Sequence, residues 1–309
     1  MRTLIGLTVL AVLAATLTGC GLSVGRHEET TSYDGPANVT RLRVKGGGGR
    51  VEIVASDSPG IRVQEKRRWS NDRNKPKTQK ATEDGTYSLT AECGRTVIGF
   101  GTSCGVSYRV QVPRATSVEI VNGDGAIDVA GLAGAVRLRT GTGTITAKDL
   151  RATSVSMSAG DGALRVSGRA GTADLRTGTG VIDATGLTAD RVSARSGDGA
   201  IRLSGRATTA ELRTDTGSID ADGLTAERLV ARTGDGRISL ALAVPPSNVR
   251  ATTGTGAIRV RLPDGQPYRL DLSTDTGGKR VDPAVHSDSA SPRHVKLSTG
   301  DGDILVSPA

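Results

Sequence analysis

The chain has 309 residues, a formal net charge of +8 and only six aromatic side chains: Tyr33, Trp69, Tyr87, Phe100, Tyr108 and Tyr268. A core must therefore come from Val, Ile, Leu and Ala, and three His with three Cys leave little material for a metal site or a His-dependent enzyme. Interspersed charges of both signs exclude a wholly disordered chain, and 42 Gly with no period of three exclude collagen and predict many tight turns between short strands.

The first element is an address. Arg2 precedes an apolar run from Leu4 to Leu17 that contains no acid. That is a secretory length, too short for a confident membrane span. The run ends in Leu17-Thr18-Gly19-Cys20, which resembles the bacterial lipoprotein signal, or lipobox. The resemblance implies cleavage after residue 19 and a lipid on Cys20, holding the protein at a membrane surface without spanning it. Residues 21–38 carry Gly, Ser, Thr, Glu and Pro36 without apolar periodicity. Residues 20–38 are therefore expected to be a flexible tether from the lipidated Cys20 to a domain over 39–306.

Removing Cys20 leaves an even pair, Cys93 and Cys104. An exported compartment permits a disulfide between them; a free thiol or a metal pair are the alternatives, and no nearby His supports a metal. The pair lies in a segment, 54–113, that interrupts the pattern after an early Gly47-Gly48-Gly49 turn. This segment holds Trp69, Phe100 and a charged stretch from Glu65 to Lys80. Ile61 to Gln64, Tyr87 to Ala91 and Val106 to Val112 read as strands within it, and the segment is expected to be an irregular insertion covering one end or side of the domain.

From Arg114 the chain repeats every 37 residues, in half-units of 18 and 19. Arg114-Ala115-Thr116-Ser117-Val118 returns as Arg151-Ala152-Thr153-Ser154-Val155. Each half-unit carries a Gly-Asp-Gly or Gly/Asp-Thr-Gly turn, beginning at Gly123, Gly141, Gly160, Gly178, Gly197, Asp215, Gly234 and Gly254. Looser copies at Asp275 and Gly300, with the early one at Gly47, bring the turns to eleven. After each turn stands an aliphatic column: Ile127, Ile145, Leu164, Ile182, Ile201, Ile219, Ile238 and Ile258. Apolar and polar residues alternate around it with the strand period of two. The pattern predicts an all-β single-stranded solenoid of about eleven rungs, stacked at about 4.8 Å into a rod roughly 50 Å long. The last rungs, Tyr268 to Val306, are spaced irregularly, as expected where a solenoid blunts its open edge.

The G-[DT]-G-x-I-x-[AV] rungs, the early Gly-rich turn and the export signal resemble the bacterial putative-adhesin domain family, a domain of unknown function in cell-envelope proteins. The resemblance covers about residues 39–306. It is specific for fold, weak for function, and brings no catalytic residues.

Three outward columns carry charge. Asp124, Asp161, Asp198 and Asp235 occupy alternate turns, with Thr142, Thr179 and Thr216 between them. Two strand spacings, about 9.6 Å, separate successive Asp, too far to share one calcium ion, so the Thr are read as relieving like-charge repulsion. A second column, Arg165, Asp183, Arg202 and Asp220, alternates in sign and is expected to form a cross-strand ion-pair ladder. The third, just before each turn, holds Arg139, Arg176, Arg195, Arg213 and Arg232. Stacked like charges are destabilising, and an anion held by guanidinium forks would offset that cost. Compensation by acids such as Asp174, Glu211 and Glu227 is the alternative.

No motif for a metalloprotease, a P-loop or a nucleophile elbow is present, and no cofactor is expected. Nucleic acid is not an expected partner of an exported chain without interleaved aromatics. The expected protein is a non-catalytic lipoprotein on the outer face of the cell membrane. It presents a rigid solenoid for adhesion-like binding of an anionic envelope polymer or a surface protein. A structural role in envelope assembly is the runner-up, and a polysaccharide-active enzyme the third reading.

Overall fold

Ile127, Ile145, Leu164, Ile182, Ile201, Ile219, Ile238 and Ile258 are partners of one another in successive parallel strands. All are fully buried. The computed structural model describes residues 27–93 and 104–309. It is nearly all-β, a solenoid-like stack in which, from Ile127 to Ile238, every 18 or 19 residues add one layer, and its core is a single continuous, mostly aliphatic cluster.

Each layer has three short sides, because the in-out alternation breaks at three corners. The first corner is the Gly turn. The second is a bulge, such as that between Ala184 and Leu187, where the register shifts. The third is a pair of consecutive non-buried residues, such as Asp190 and Arg191. We call the side before the Gly turn side A, the side after it side B, and the side after the bulge side C.

The second corner explains the alternation of 18 and 19. Between Arg165 and Gly168 lie two residues, and between their partners Asp183 and Leu187 lie three. The longer bulge turns through a positive φ at Asp149 (φ 53°) or Gly186 (φ 73°), the shorter one at Gly168 (φ 107°) or Gly205 (φ 106°). The added residue places a Leu in the core, and the other positions make room. Along residues 182–194 the core reads Ile182, Ala184, Leu187, Ala189, Val192, Ala194; along 201–212 it reads Ile201, Leu203, Ala207, Ala210, Leu212, with only Gly205 as the partner of Leu187. Volume moves from one corner to the others while its sum is nearly kept, as a close-packed interior requires. Hence the true repeat is two layers.

Segment 54–113 corrects the expectation of an irregular insertion. Strands Thr86–Glu92 and Cys104–Pro113 form a further layer, paired in parallel with Arg41–Lys45 and Val51–Ser56. The Cys93–Cys104 disulfide lies where other layers carry a Gly turn. The remaining strands, Arg62–Trp69 and Lys77–Glu83, run antiparallel to this layer and flank it.

The tether is corrected as well. His27–Asp34 is a strand, antiparallel to Arg62–Trp69. Charge complementarity holds it, which apolar periodicity does not register. Glu28 meets Lys66 at 2.6 Å and Arg68 at 2.9 Å. The Tyr33 hydroxyl donates to the buried Glu65 carboxylate at 3.0 Å, which also accepts from Arg67 Nε at 2.6 Å.

Both ends show the same rearrangement. The strands Arg41–Lys45 and Val51–Ser56 sit inside the layer formed by residues 86–113. At the other end, His294–Asp301 and Ile304–Pro308 sit between Asn248–Leu262 and the outermost strands, Arg269–Thr276 and Lys279–Val281. The first and last layers in sequence are thus each second from an end in space.

Candidate functional site

The side-A arginines are aligned by the ladder. Arg139 is the partner of Ser158, Ser158 of Arg176, and then Arg195, Arg213, Arg232 and Thr252 follow in register. Their parity is opposite to that of Leu138, Leu175, Ala194, Leu212 and Ala231, so the core below forces every guanidinium outward. All five are exposed.

Neighbouring acids answer part of this charge. Arg176 meets Asp174 at 2.6 Å, Arg195 meets Glu211 at 3.2 Å, and Arg213 meets Asp215 at 3.9 Å. Such exposed pairs contribute little, typically below about 1 kcal/mol. Glu227 pairs with none of the five. Arg139 and Arg232 make no ion pair among the described residues. The stripe is therefore a partly compensated row of cations, with its least compensated charges at the two ends, Arg139 and Arg232.

Side B differs from the expected ladder. Arg165, Asp183, Arg202 and Asp220 are in register, yet no ion pair joins them among the described residues. Local hydroxyls take the carboxylates instead. Thr185 donates its hydroxyl and, at 3.2 Å, its N–H to Asp183, and Ser218 donates to Asp220 at 3.3 Å. A hydroxyl two residues away on its own strand reaches a carboxylate at less entropic cost than a long Arg on the next.

At the turns, Thr142, Thr179 and Thr216 donate to Asp124, Asp161 and Asp198 of the adjacent layer, at 3.3, 3.4 and 3.1 Å. Among the described residues no group of three or more potential metal ligands is gathered. Cys93 and Cys104 are joined as a disulfide. Cys20 lies outside the described residues, as does Phe100.

The sequence reading missed a buried column of hydroxyls. Thr177, Ser196, Thr214, Thr233 and Thr253 donate to Gly162, Gly180, Gly199, Gly217 and Gly236 carbonyls at 2.8 to 3.0 Å. The signal was available, because each stands two residues after a core position and so shares its inward parity. It also missed a depression at the second corner, lined by Arg114, Arg151 and Arg169.

No match was found among curated proteins. Solved structures of similar fold include a putative adhesin from Parabacteroides distasonis ATCC 8503, 14% identical, covering 91% of this chain and 97% of that one, with a TM-score of 0.51. Another is a putative adhesin from Parabacteroides merdae ATCC 43184, 14% identical, covering 90% and 95%, with a TM-score of 0.50. At these identities the likeness is one of fold. The family model described as Toastrack DUF4097 matches residues 39–307, and the chain belongs to that family, a domain of unknown function.

Proposed function

We propose that the protein is an exported lipoprotein, held by a lipid on Cys20 at the outer face of the cell membrane, whose solenoid is a non-catalytic binding surface for anionic envelope polymers. The observation that carries this reading is the side-A stripe, with Arg176, Arg195, Arg213 and Arg232 on consecutive strands. A repeated cation every strand spacing, about 4.8 Å, suits a repeated anion better than a single small one. The disulfide fits an oxidising compartment. The description of the neighbours as adhesins agrees with surface binding.

The test is retention on isolated cell envelopes across a salt series. The full-length chain carries Cys20→Ala, so that no lipid contributes. A fragment starting at Val39 is unsuitable, since it would delete the strand His27–Asp34. Retention should weaken with salt and be lost when the five arginines are changed to Gln. Retention equal in that variant would refute the stripe. A structural role rests on a different observation: Arg269–Thr276 pairs only with His294–Asp301 among the described residues, leaving an open strand edge. Salt-insensitive self-association of the Cys20→Ala chain would favour that role.

A further inference from the structure

The second corner is regular along the stack except in one place. Its side-C column reads Arg151, Arg169, Thr188, Arg206, Thr225. Beyond residue 169 the next Arg in this column, Arg206, has Thr188 and Thr225 as its partners. Arg151 and Arg169 alone stand as direct partners on adjacent strands. Neither makes an ion pair among the described residues. A third guanidinium comes from two layers before Arg151, across the segment in which Ala133 donates to the Arg114 carbonyl and Leu132 accepts from Arg151 N–H: Arg114 lines the same depression of about 690 Å³ and is held by Asp57 at 2.6 Å.

The walls keep the depression open. Gly131 (φ 74°), Asp149 (φ 53°) and Gly168 (φ 107°) line it, all in left-handed backbone at the bulge. A side chain at Gly168 would collide with the Leu150 backbone. Asp149 is the one acid in the lining and forms no ion pair among the described residues. A comparable depression at the N-terminal end lacks this surplus. Its Arg62 and Arg109 already face Asp34 and Glu52, at 3.9 and 2.9 Å.

We infer that Arg114, Arg151 and Arg169 form a discrete binding site for a phosphate group, separate from the side-A stripe. Two arginines that are partners on adjacent strands present more donors than one carboxylate can take, whereas a tetrahedral phosphate has oxygens for both and for a third. The like-charge neighbours Arg151 and Arg169 are relieved by the same ligand. The phosphate can belong to a lipid headgroup or to a soluble polyol phosphate; the site recognises the group they share.

The experiment is calorimetric titration of the full-length Cys20→Ala chain with inorganic phosphate at fixed ionic strength. The expected result is saturable binding at one site. Arg151→Gln with Arg169→Gln should weaken it at least about tenfold. Arg151→Lys with Arg169→Lys, which keeps charge but loses the fork, should fall between. The five-Gln side-A variant should bind phosphate like the parent. Circular dichroism and melting confirm that each variant is folded. No saturable binding by the parent, or equal affinity in the Gln pair, overturns the site. Loss in the side-A variant alone also overturns it, and places the phosphate on the stripe. Two further arms identify the source, each repeated with the Gln pair: glycerol phosphate in solution, and phosphatidylcholine vesicles with and without phosphatidylglycerol. A Gln-sensitive gain in either arm supports the site and names its natural carrier.

Discussion

Thr214 donates its buried hydroxyl to the Gly199 carbonyl of the preceding layer at 2.9 Å, and the same oxygen accepts the Gly217 N–H at 3.2 Å. One side chain thus satisfies two backbone groups at a corner that the strand ladder does not reach. Thr214→Val keeps shape and removes both bonds together with the one the hydroxyl shares with the Gly197 carbonyl at 3.0 Å. It should destabilise the protein by about 1–3 kcal/mol, read as a lower denaturant midpoint with unchanged slope. Val stability equal to the parent would show that the hydroxyl column is idle.

Glycines divide into two kinds. A Cβ at Gly199 would collide with the Gly180 carbonyl of the next layer. At Gly186 nothing lies near, and only its φ of 73° disfavours other residues. Gly186→Ala should cost about 1 kcal/mol. Gly199→Ala should cost more, about 3 kcal/mol, because backbone on backbone has no flexible end to yield. Thermal melts of the two variants check the order, and a reversed order would remove close stacking as the reason for the glycine column.

The disulfide closes the turn of an end layer. Its reduction should cost about 3 kcal/mol in the chain-entropy view. Denaturation with and without reductant measures this. The Cys93→Ser and Cys104→Ser double variant should match the reduced parent and no longer respond to reductant.

Alkaline pH should weaken the N-terminal end. Burial, and then the Glu65 carboxylate, hold the Tyr33 and Tyr108 hydroxyls protonated well above their ordinary value near 10. In the unfolded chain both ionise near pH 10. Above that pH the unfolded state binds fewer protons than the folded one, so stability falls as pH rises past about 10 and is flat in this respect below it. Tyr33→Phe should make the alkaline slope shallower. It should also lower stability at neutral pH by about 1–3 kcal/mol, since buried Glu65 loses a donor. Melting against pH from neutral to alkaline reads both effects.

The stack was legible because its cause is periodic. Ile127 through Ile258 announce the ladder by position alone, and the pairing joins every one of them. What stayed hidden is aperiodic. The layer of residues 86–113 carries a disulfide in place of a Gly turn, so the motif skipped it. His27–Asp34 is held by Glu28, Glu29 and Tyr33 against a distant basic strand, a match that exists only once the fold has formed. For the candidate site, the side-A stripe could be read from spacing. The 37-residue repeat aligns Arg114 with Arg151, but the pairing of Arg151 with Arg169 follows a bulge between Ala147 and Leu150, and that register shift is not visible in the spacing.

The arrangement of the ends bears on how such a protein varies. Both special end structures lie outside residues 136–242, where two-layer units follow one another with the same corners. Excising or duplicating 37 residues there removes or adds a whole pair of layers and returns the chain to the same register. Neither terminus, flanking strand nor disulfide is touched. The length of the stack is then a quantity that gene duplication can adjust in fixed steps, roughly 10 Å each by strand spacing. The parts that close its two ends remain as they were.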